Sequence, residues 1–313
     1  MEKVRNFNNL DSKISTVVTI GTFDGVHLGH QKILKRLVNT AKETHLKSVV
    51  LTFFPHPRMV LQNDANIKLI HTIEERSDIL EQSGLDYLCI QKFTKEFSRL
   101  TAEDFVKKIL VEQLQAKRVI IGYDHHFGRN RSANIDDLRK FGETYGFEVE
   151  EISAEDVNEV AVSSTKIRKA LEAGDITKAN NYLGYPFSIN GTVVTGKQIG
   201  KQLQYPTANL EIKEAYKLIP KQGVYVVKSE IDNVTIFGMM NVGTNPTVTD
   251  STNQHIEIHF FDFDADLYGK SLKIDMLHRL RDEKKFESID NLKKQLQQDE
   301  EESRRFISET NGE

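Results

Sequence analysis

Thr16 to Ile20 is a β-branched run of strand character, and it stops at Gly21-Thr22-Phe23-Asp24-Gly25-Val26-His27-Leu28-Gly29-His30. Just beyond, Ile33, Leu34, Leu37 and Val38 recur at helical spacing. A loop with three glycines and two histidines therefore joins a buried strand to the start of a helix. An α/β sheet holds phosphate at such a junction, because glycine lets the backbone approach and the helix N-terminus offers unpaired N–H groups. His27 and His30 stand three residues apart, so they share one face, with Gly29 leaving room between them. Three readings stand at this point: a tight turn whose histidines cap the helix, an anion site, or a metal pair. No carboxylate or cysteine cluster accompanies the histidines, which disfavours the metal.

Strand, H-x-G-H and helix in this order resemble the signature of the nucleotidyltransferase superfamily of α/β phosphodiesterases. The resemblance implies that the two imidazoles hold the charge developing on the α-phosphate of a nucleoside triphosphate.

Strand and helix then alternate. Strands are expected at Ser48–Phe54, Leu85–Gln91, Lys117–Ile121 and Phe147–Ile152. Between them, Thr72-Ile73-Glu74-Glu75 is a capping box, and Thr101 caps a helix whose buried stripe is Phe105, Val106, Ile109, Leu110 and Leu114. A further helix spans Asn134 to Tyr145. The pattern is that of a doubly wound parallel sheet, whose ligands gather at the carboxyl ends of the strands. Phe53-Phe54-Pro55-His56-Pro57 and Gly122-Tyr123-Asp124-His125-His126-Phe127-Gly128 both fall there. Neighbours on an extended segment point to opposite faces, so His125 and His126 are poorly placed to share one ion. Ser163-Ser164-Thr165-Lys166-Ile167-Arg168 opens another helix. Its hydroxyls read as an N-cap, and with the basic residues they also suit β- and γ-phosphates. A serine-rich helix start followed by arginine is the second signature of the same nucleotidyltransferases.

Past a short helix, Asp175 to Leu183, the texture changes. Short strands are expected at Phe187–Thr195, Gly223–Ile231, Val234–Val242, His255–Asp262 and Ser271–Met276, with turns at Asp232-Asn233 and Gly269-Lys270. They imply a second domain, a small antiparallel barrel. A closing helix, Ser288 to Ile307, is expected to turn Ile289, Leu292, Leu296, Phe306 and Ile307 inward. The domain boundary is placed at 184/185, giving domains 1–184 and 185–313.

With 42 basic and 46 acidic residues, the net charge of −4 leaves no basic footprint for nucleic acid. The single cysteine, Cys89, cannot form an internal disulfide and reads as a small core residue in a reducing compartment. No apolar run is long enough to span a membrane, so a cytoplasmic location is the expectation.

Inside the barrel region lies Gly200-Lys201-Gln202-Leu203-Gln204-Tyr205-Pro206-Thr207-Ala208-Asn209. A hydroxyl and an amide oxygen two residues apart on an extended strand point to one side. Such oxygens suit a magnesium ion that keeps water and takes phosphate oxygens. Pro206-Thr207-Ala208-Asn209 resembles the riboflavin kinase signature. Gly223-Val224-Tyr225, Gly238 to Thr247, Ile256-Glu257-Ile258-His259, Asp262 to Lys270 and Arg281 to Phe286 follow it in the expected order. With the N-terminal motifs, the chain resembles the prokaryotic bifunctional riboflavin kinase/FAD synthetase family from about residue 15 to 307.

That resemblance implies a nucleotidyltransferase-like α/β domain making FAD from FMN and ATP, and a riboflavin kinase-like barrel making FMN from riboflavin and ATP. ADP and pyrophosphate are the by-products and Mg²⁺ the cofactor. Neither nucleic acid nor membrane is implied, and oligomeric state is left open. By the same resemblance His27, His30 and Arg168 stabilise the adenylyl transfer, and Glu257 is the base of the kinase. Gly21, Phe23, Asp24, Gly25, Ser163, Ser164, Thr165, Gly200 and Lys201 take ATP phosphates, and Thr207 and Asn209 hold the metal. Phe53, Pro55, Pro57, Asp124 and Phe127 border the flavin phosphate and adenine sites, and Arg281 sits on a loop over the flavin.

The sequence departs from the family pattern at four places. Gln204-Tyr205 replaces Gly-Phe, Lys201 stands for arginine, Asn245 for a basic residue, and His125 for an aromatic. The rival readings are a single-function nucleotidyltransferase with a non-catalytic flavin-binding barrel, and a non-catalytic flavin or nucleotide sensor.

Overall fold

The computed structural model describes residues 1–5, 14–61, 67–122, 125–153, 162–196, 205–244 and 254–311. Asp124, Gly200, Lys201, Gln204 and Asn245 lie outside them. The chain divides into two compact units, Met1–Ser164 and Thr165–Glu313.

The first unit is built on six strands: β1 (Glu2–Arg5), β2 (Thr16–Ile20), β3 (Lys47–Phe54), β4 (Tyr87–Lys92), β5 (Ala116–Gly122) and β6 (Glu148–Ile152). They pair in the order β1-β4-β3-β2-β5-β6, every pair parallel. Helices α1 (Leu28–Glu43), α2 (Pro57–Leu61), α3 (Ile73–Glu81), α4 (Ala102–Phe105, continued in wider turns over Val106–Gln113) and α5 (Ile135–Tyr145) make the connections.

Both faces of the sheet are covered, which is why its strands read as unbroken apolar runs rather than alternating ones. Val17, Val50, Leu88 and Ile120 share one cluster with Leu34, Leu37 and Ala41 of α1. Val18, Val49, Leu51, Val119 and Ile121 share the other with Phe105, Val106, Ile109 and Leu110. The predicted stripe at residues 105–114 is thus buried as expected. Cys89 is 1% exposed, and burial pushes its thiol up to about 12, which makes it a packing residue. β1 and α2 escape the sequence reading because each is only four or five residues long.

All of α6 (Ser164–Ala173) but its first residue belongs to the second unit, which continues with α7 (Ile176–Leu183) and closes with α8 (Ile289–Asn311). Between lies a closed barrel of β7 (Phe187–Val194), β8 (Ala208–Glu211), β9 (Gly223–Ile231), β10 (Val234–Thr244), β11 (Gln254–Phe260) and β12 (Ser271–Arg281), ordered β10-β11-β8-β7-β12-β9. Along β11, Ile256, Ile258 and Phe260 are buried while His255, Glu257 and His259 alternate with them on the other face.

Three expectations need correction here. β8 is absent from the expected strands, yet it forms because Ala208 and Asn209 pair with β11. β12 runs past Met276 to Arg281, since irregularities at Met276/His278 and Arg279/Arg281 let it keep pairing with β9. Arg281 therefore ends a strand instead of sitting on a loop, and its guanidinium forks onto Asp299 of α8 at 2.8 and 2.6 Å. On α8, Leu296 and Ile307 pack on Val224, Met239 and Phe261, and Phe306 stacks on His278. Ile289 does not turn inward: it is 69% exposed.

Asp299 is 1% exposed, so the Arg281–Asp299 pair is the polar rivet between helix and barrel. Asp299→Ala leaves a mostly buried guanidinium, 15% exposed, without its carboxylate. It is expected to destabilise the second unit by about 3 kcal/mol, read as a lowered midpoint in urea unfolding.

Candidate functional sites

The loop between β2 and α1 lies where strand order reverses, between β2 and its neighbours β3 and β5. Its backbone is unusual. Phe23 (φ 49°), Gly25 (φ 92°) and Val26 (φ 34°) all have positive φ, and for Val26 the β-branch makes this a strained position. The Asp24 carboxylate accepts the backbone N–H groups of Ile70 and His71 at 3.2 and 3.3 Å, and the Ser164 hydroxyl donates to the Asp24 carbonyl at 2.7 Å. Gln31 Nε2 donates to the Val26 carbonyl at 2.9 Å. The family resemblance implies Asp24 at the ATP phosphates. In the fold it is 1% exposed and committed to backbone amides.

His27 caps α1, its Nδ1 accepting the His30 N–H at 3.4 Å. A neutral His27 with Nδ1 as acceptor carries its proton on Nε2, the outer donor. The two rings stack at 3.7 Å, and Phe23 leans on His30 at 5.0 Å. Helix cap and paired imidazoles, open alternatives in the sequence, coexist. Burial pushes His27 down to about 4, against the pull of Asp24. Burial pushes His30 down as well, helped by the charges of His27 and Arg76. Both rings are therefore neutral hydrogen-bond donors near pH 7. Among the described residues no group of three His, Cys, Asp or Glu is placed to hold a metal.

Phe53 lies near the end of β3, Pro55 in the short turn after it and Pro57 at the start of α2; Phe53 belongs to a ring cluster with Phe93 and Phe97, 5.7 and 5.8 Å away. Phe127 is 7% exposed and packs on Phe105 at 5.9 Å, so it backs the wall of the β5 loop from within the core. His125, at the position where the family has an aromatic, lies over Phe127 at 6.2 Å. Ser163 precedes α6, Ser164 and Thr165 open it, and Arg168 follows Ser164 by one turn, on the same helix face.

In the barrel, Asn209 of β8 is the register partner of Glu257 on β11, and Glu257 is the partner of Asn241 on β10. Register partners point the same way, so Asn209, Glu257 and Asn241 form one polar row. Gly196 presses on that row: a Cβ there would fall 2.0 Å from Asn209 Nδ2. Tyr205 packs edge-on to His259 at 5.0 Å, and His259 Nδ1 meets the Pro206 carbonyl at 2.9 Å, which seats the segment carrying Thr207 on β11. Thr207 and Asn209 supply hard oxygens beside a carboxylate. That donor set fits Mg²⁺ completed by water and phosphate.

Two residues of these sites escape the sequence reading. Arg76 is fully buried on α3, and its signal was a charge within the stripe Ile73, Ser77, Leu80. Asn241 gave no signal, because only the strand register sets it beside Glu257.

The depressed histidines make stability depend on pH. An unfolded His27 titrates near 6.5 and the folded one near 4. The unfolded state thus binds the extra proton in that window, and stability falls as pH drops through it, by about 3 kcal/mol for this group. Urea unfolding of His27→Gln between pH 7 and 4.5 should show a slope reduced by nearly one proton; an unchanged slope would contradict the assignment.

Residues 10–166 match the FAD synthetase family and residues 183–307 the riboflavin kinase family. A Listeria monocytogenes protein named bifunctional riboflavin kinase/FMN adenylyltransferase is 36% identical over 296 residues, 94% of this chain and 93% of that one. The Escherichia coli K12 protein of the same name is 33% identical over 313 residues, 99% of each chain. A Streptococcus pneumoniae crystal structure described as a macrolide-efflux protein superposes with a TM-score of 0.87 at 32% identity, over 96% of this chain and 98% of that one. Among the described residues no helix is long and apolar enough to cross a membrane. Matched in both halves and along nearly its whole length, the chain belongs to the bifunctional riboflavin kinase/FMN adenylyltransferase family.

Proposed function

We propose that this chain is a two-site flavin enzyme of the cytoplasm: it phosphorylates riboflavin to FMN with ATP, then adenylylates FMN to FAD with a second ATP. The observation that carries this reading is that the stacked His27–His30 pair lies in the first compact unit and within residues 10–166, while the Asn209–Glu257–Asn241 row lies in the second and within residues 183–307, the parts matched by the two families. The functional boundary is assigned to 184/185, so that α6, with its phosphate-binding start, serves the adenylyl transfer.

In the barrel, Glu257 accepts the proton of the ribityl 5′-hydroxyl as that oxygen attacks the γ-phosphorus; the bond to the β-phosphate oxygen breaks and ADP leaves. Thr207 and Asn209 would hold Mg²⁺, which would supply charge neutralisation on the phosphates. Gly200 and Lys201 are assigned to the phosphate loop. Glu257 keeps amide neighbours on both sides, which supports a working kinase over a barrel that binds flavin without turnover. Arg281 serves the flavin end from its tether on Asp299.

On the parallel sheet, an FMN phosphate oxygen attacks the α-phosphorus of ATP and pyrophosphate leaves. A phosphate monoester is largely ionised near pH 7, so no base is required. Neutral His27 and His30 donate hydrogen bonds to the developing charge, and Arg168 adds a full positive charge. Gly21, Phe23, Gly25, Ser163, Ser164 and Thr165 line the phosphates. Asp24 acts one step back by holding the loop. Phe53, Pro55, Pro57, Asp124 and Phe127 border the flavin phosphate and adenine.

Chromatography of flavins after incubation with riboflavin, ATP and Mg²⁺ should show FMN and FAD. Glu257→Ala is expected to lower FMN formation by about 10²–10⁴-fold while FAD still forms from supplied FMN. His30→Ala should lower FAD formation by about 10²-fold and leave FMN formation intact. Loss of both activities in either folded variant would refute two independent sites.

A further inference from the structure

We propose that Arg76, together with Thr52, is the positioning residue for adenylyl transfer: from beneath the sheet-to-α1 loop it holds the Thr22 carbonyl, and through it the His27–His30 pair. The inference rests on the adenylyl-transfer reading above.

Arg76 is 0% exposed, a rare state for an arginine. Its Nη1 donates to the Thr22 carbonyl at 2.7 Å and lies 3.4 Å from Thr52 Oγ1. The Thr52 hydroxyl, also fully buried, donates to the same carbonyl at 3.2 Å. One loop carbonyl thus takes two donors, from α3 and from β3. Next to it stand Phe23 and, three residues on, Val26, both at positive φ. Such backbone persists only where its surroundings over-determine it. The tie runs both ways, since the Asp24 carboxylate accepts the Ile70 and His71 N–H groups just ahead of α3. Loop and helix therefore lock each other.

Phe23 carries the lock to the site, because its ring rests on His30. The guanidinium also acts on His30 directly. Its charge and that of His27 both disfavour a protonated ring there, while Asp24 acts in the opposite sense on His27. Hence Arg76 fixes where the imidazoles sit and helps keep His30 neutral. An arginine that served only stability would leave the titration of His30 and the turnover step alone.

The test uses the full chain as wild type, Arg76→Met, Arg76→Lys and Thr52→Val, with FMN formation and the thermal midpoint as controls of folding. Adenylyl transfer is followed from supplied FMN. Arg76→Met should lose about 10- to 100-fold in kcat, with KM for ATP changed far less. Thr52→Val should lose less, and Arg76→Lys should recover part of the loss. In histidine-labelled protein followed by NMR, the His30 ring should titrate at higher pH in Arg76→Met, because a neighbouring cation is gone. Wild-type kcat or an unchanged His30 titration in folded Arg76→Met overturns the proposal. Should that variant fail to fold, wild-type kcat in Thr52→Val overturns it. A wild-type protein that made no FAD would sink the functional reading instead, and the His30 titration would still decide whether Arg76 acts on the pair.

Discussion

Everything at the N-terminal site hangs on a short stretch of backbone held where most residues will not stay. Phe23 and Val26 sit at positive φ, each at an expense of order 1–3 kcal/mol. The compensation is local and polar: two donors on the Thr22 carbonyl, two amides on the Asp24 carboxylate, Ser164 on the Asp24 carbonyl and Gln31 on that of Val26. The result is a loop that ends with two imidazoles stacked at the first turn of a helix. Both faces of the parallel sheet are sealed by helices, which leaves the strand ends as the place where such a loop can meet a ligand.

The barrel solves its problem by register. A closed antiparallel sheet turns alternate residues inward, and β11 gives Ile256, Ile258 and Phe260 to the interior. Glu257 is then obliged to face outward, and pairing with β8 and β10 brings Asn209 and Asn241 to its sides. The constellation follows from the same alternation that makes the core. Part of the outer surface is covered by α8, held by a buried ion pair and by Leu296 and Ile307, so the polar row lies on a face that is only partly left to solvent.

Much of this is legible in the sequence because it depends on local rules. The capping box at Thr72, the apolar stripe at Phe105–Leu114 and the strand-to-helix switch at Gly21–His30 each declare themselves within a dozen residues. What is not legible depends on contacts across the fold. Arg76 stands within the stripe of Ile73, Ser77 and Leu80, but nothing near it in sequence shows that it turns toward a carbonyl 54 residues earlier. The partners of Asp24, the Ile70 and His71 amides, come more than forty residues later, so its hold on the loop leaves no local sign. Arg281 reads as a loop residue because its strand continues only through irregular pairing, which has no apolar period to reveal it. Ile289 reads as inward from its apolar character at helical spacing, yet α8 spends its buried positions on Asp299 and Ser303.

The two proposed reactions make different demands on a protein, and the two sites differ accordingly. A ribityl hydroxyl must lose a proton as it attacks, so the kinase needs a carboxylate within reach of that hydroxyl; Glu257, in register with Asn209, is the carboxylate proposed. A phosphate monoester arrives already ionised and asks only that negative charge be met. In the proposed reaction neutral histidines meet part of this demand by donating hydrogen bonds to the developing charge, and Arg168 supplies the positive charge. Their neutrality follows from burial, and burial is possible because the strained loop folds over them and is tied down from below. Structural strain and chemical role are in this sense one arrangement. A loop relaxed to ordinary backbone angles would expose the imidazoles, raise their affinity for protons and weaken the match to the transition state.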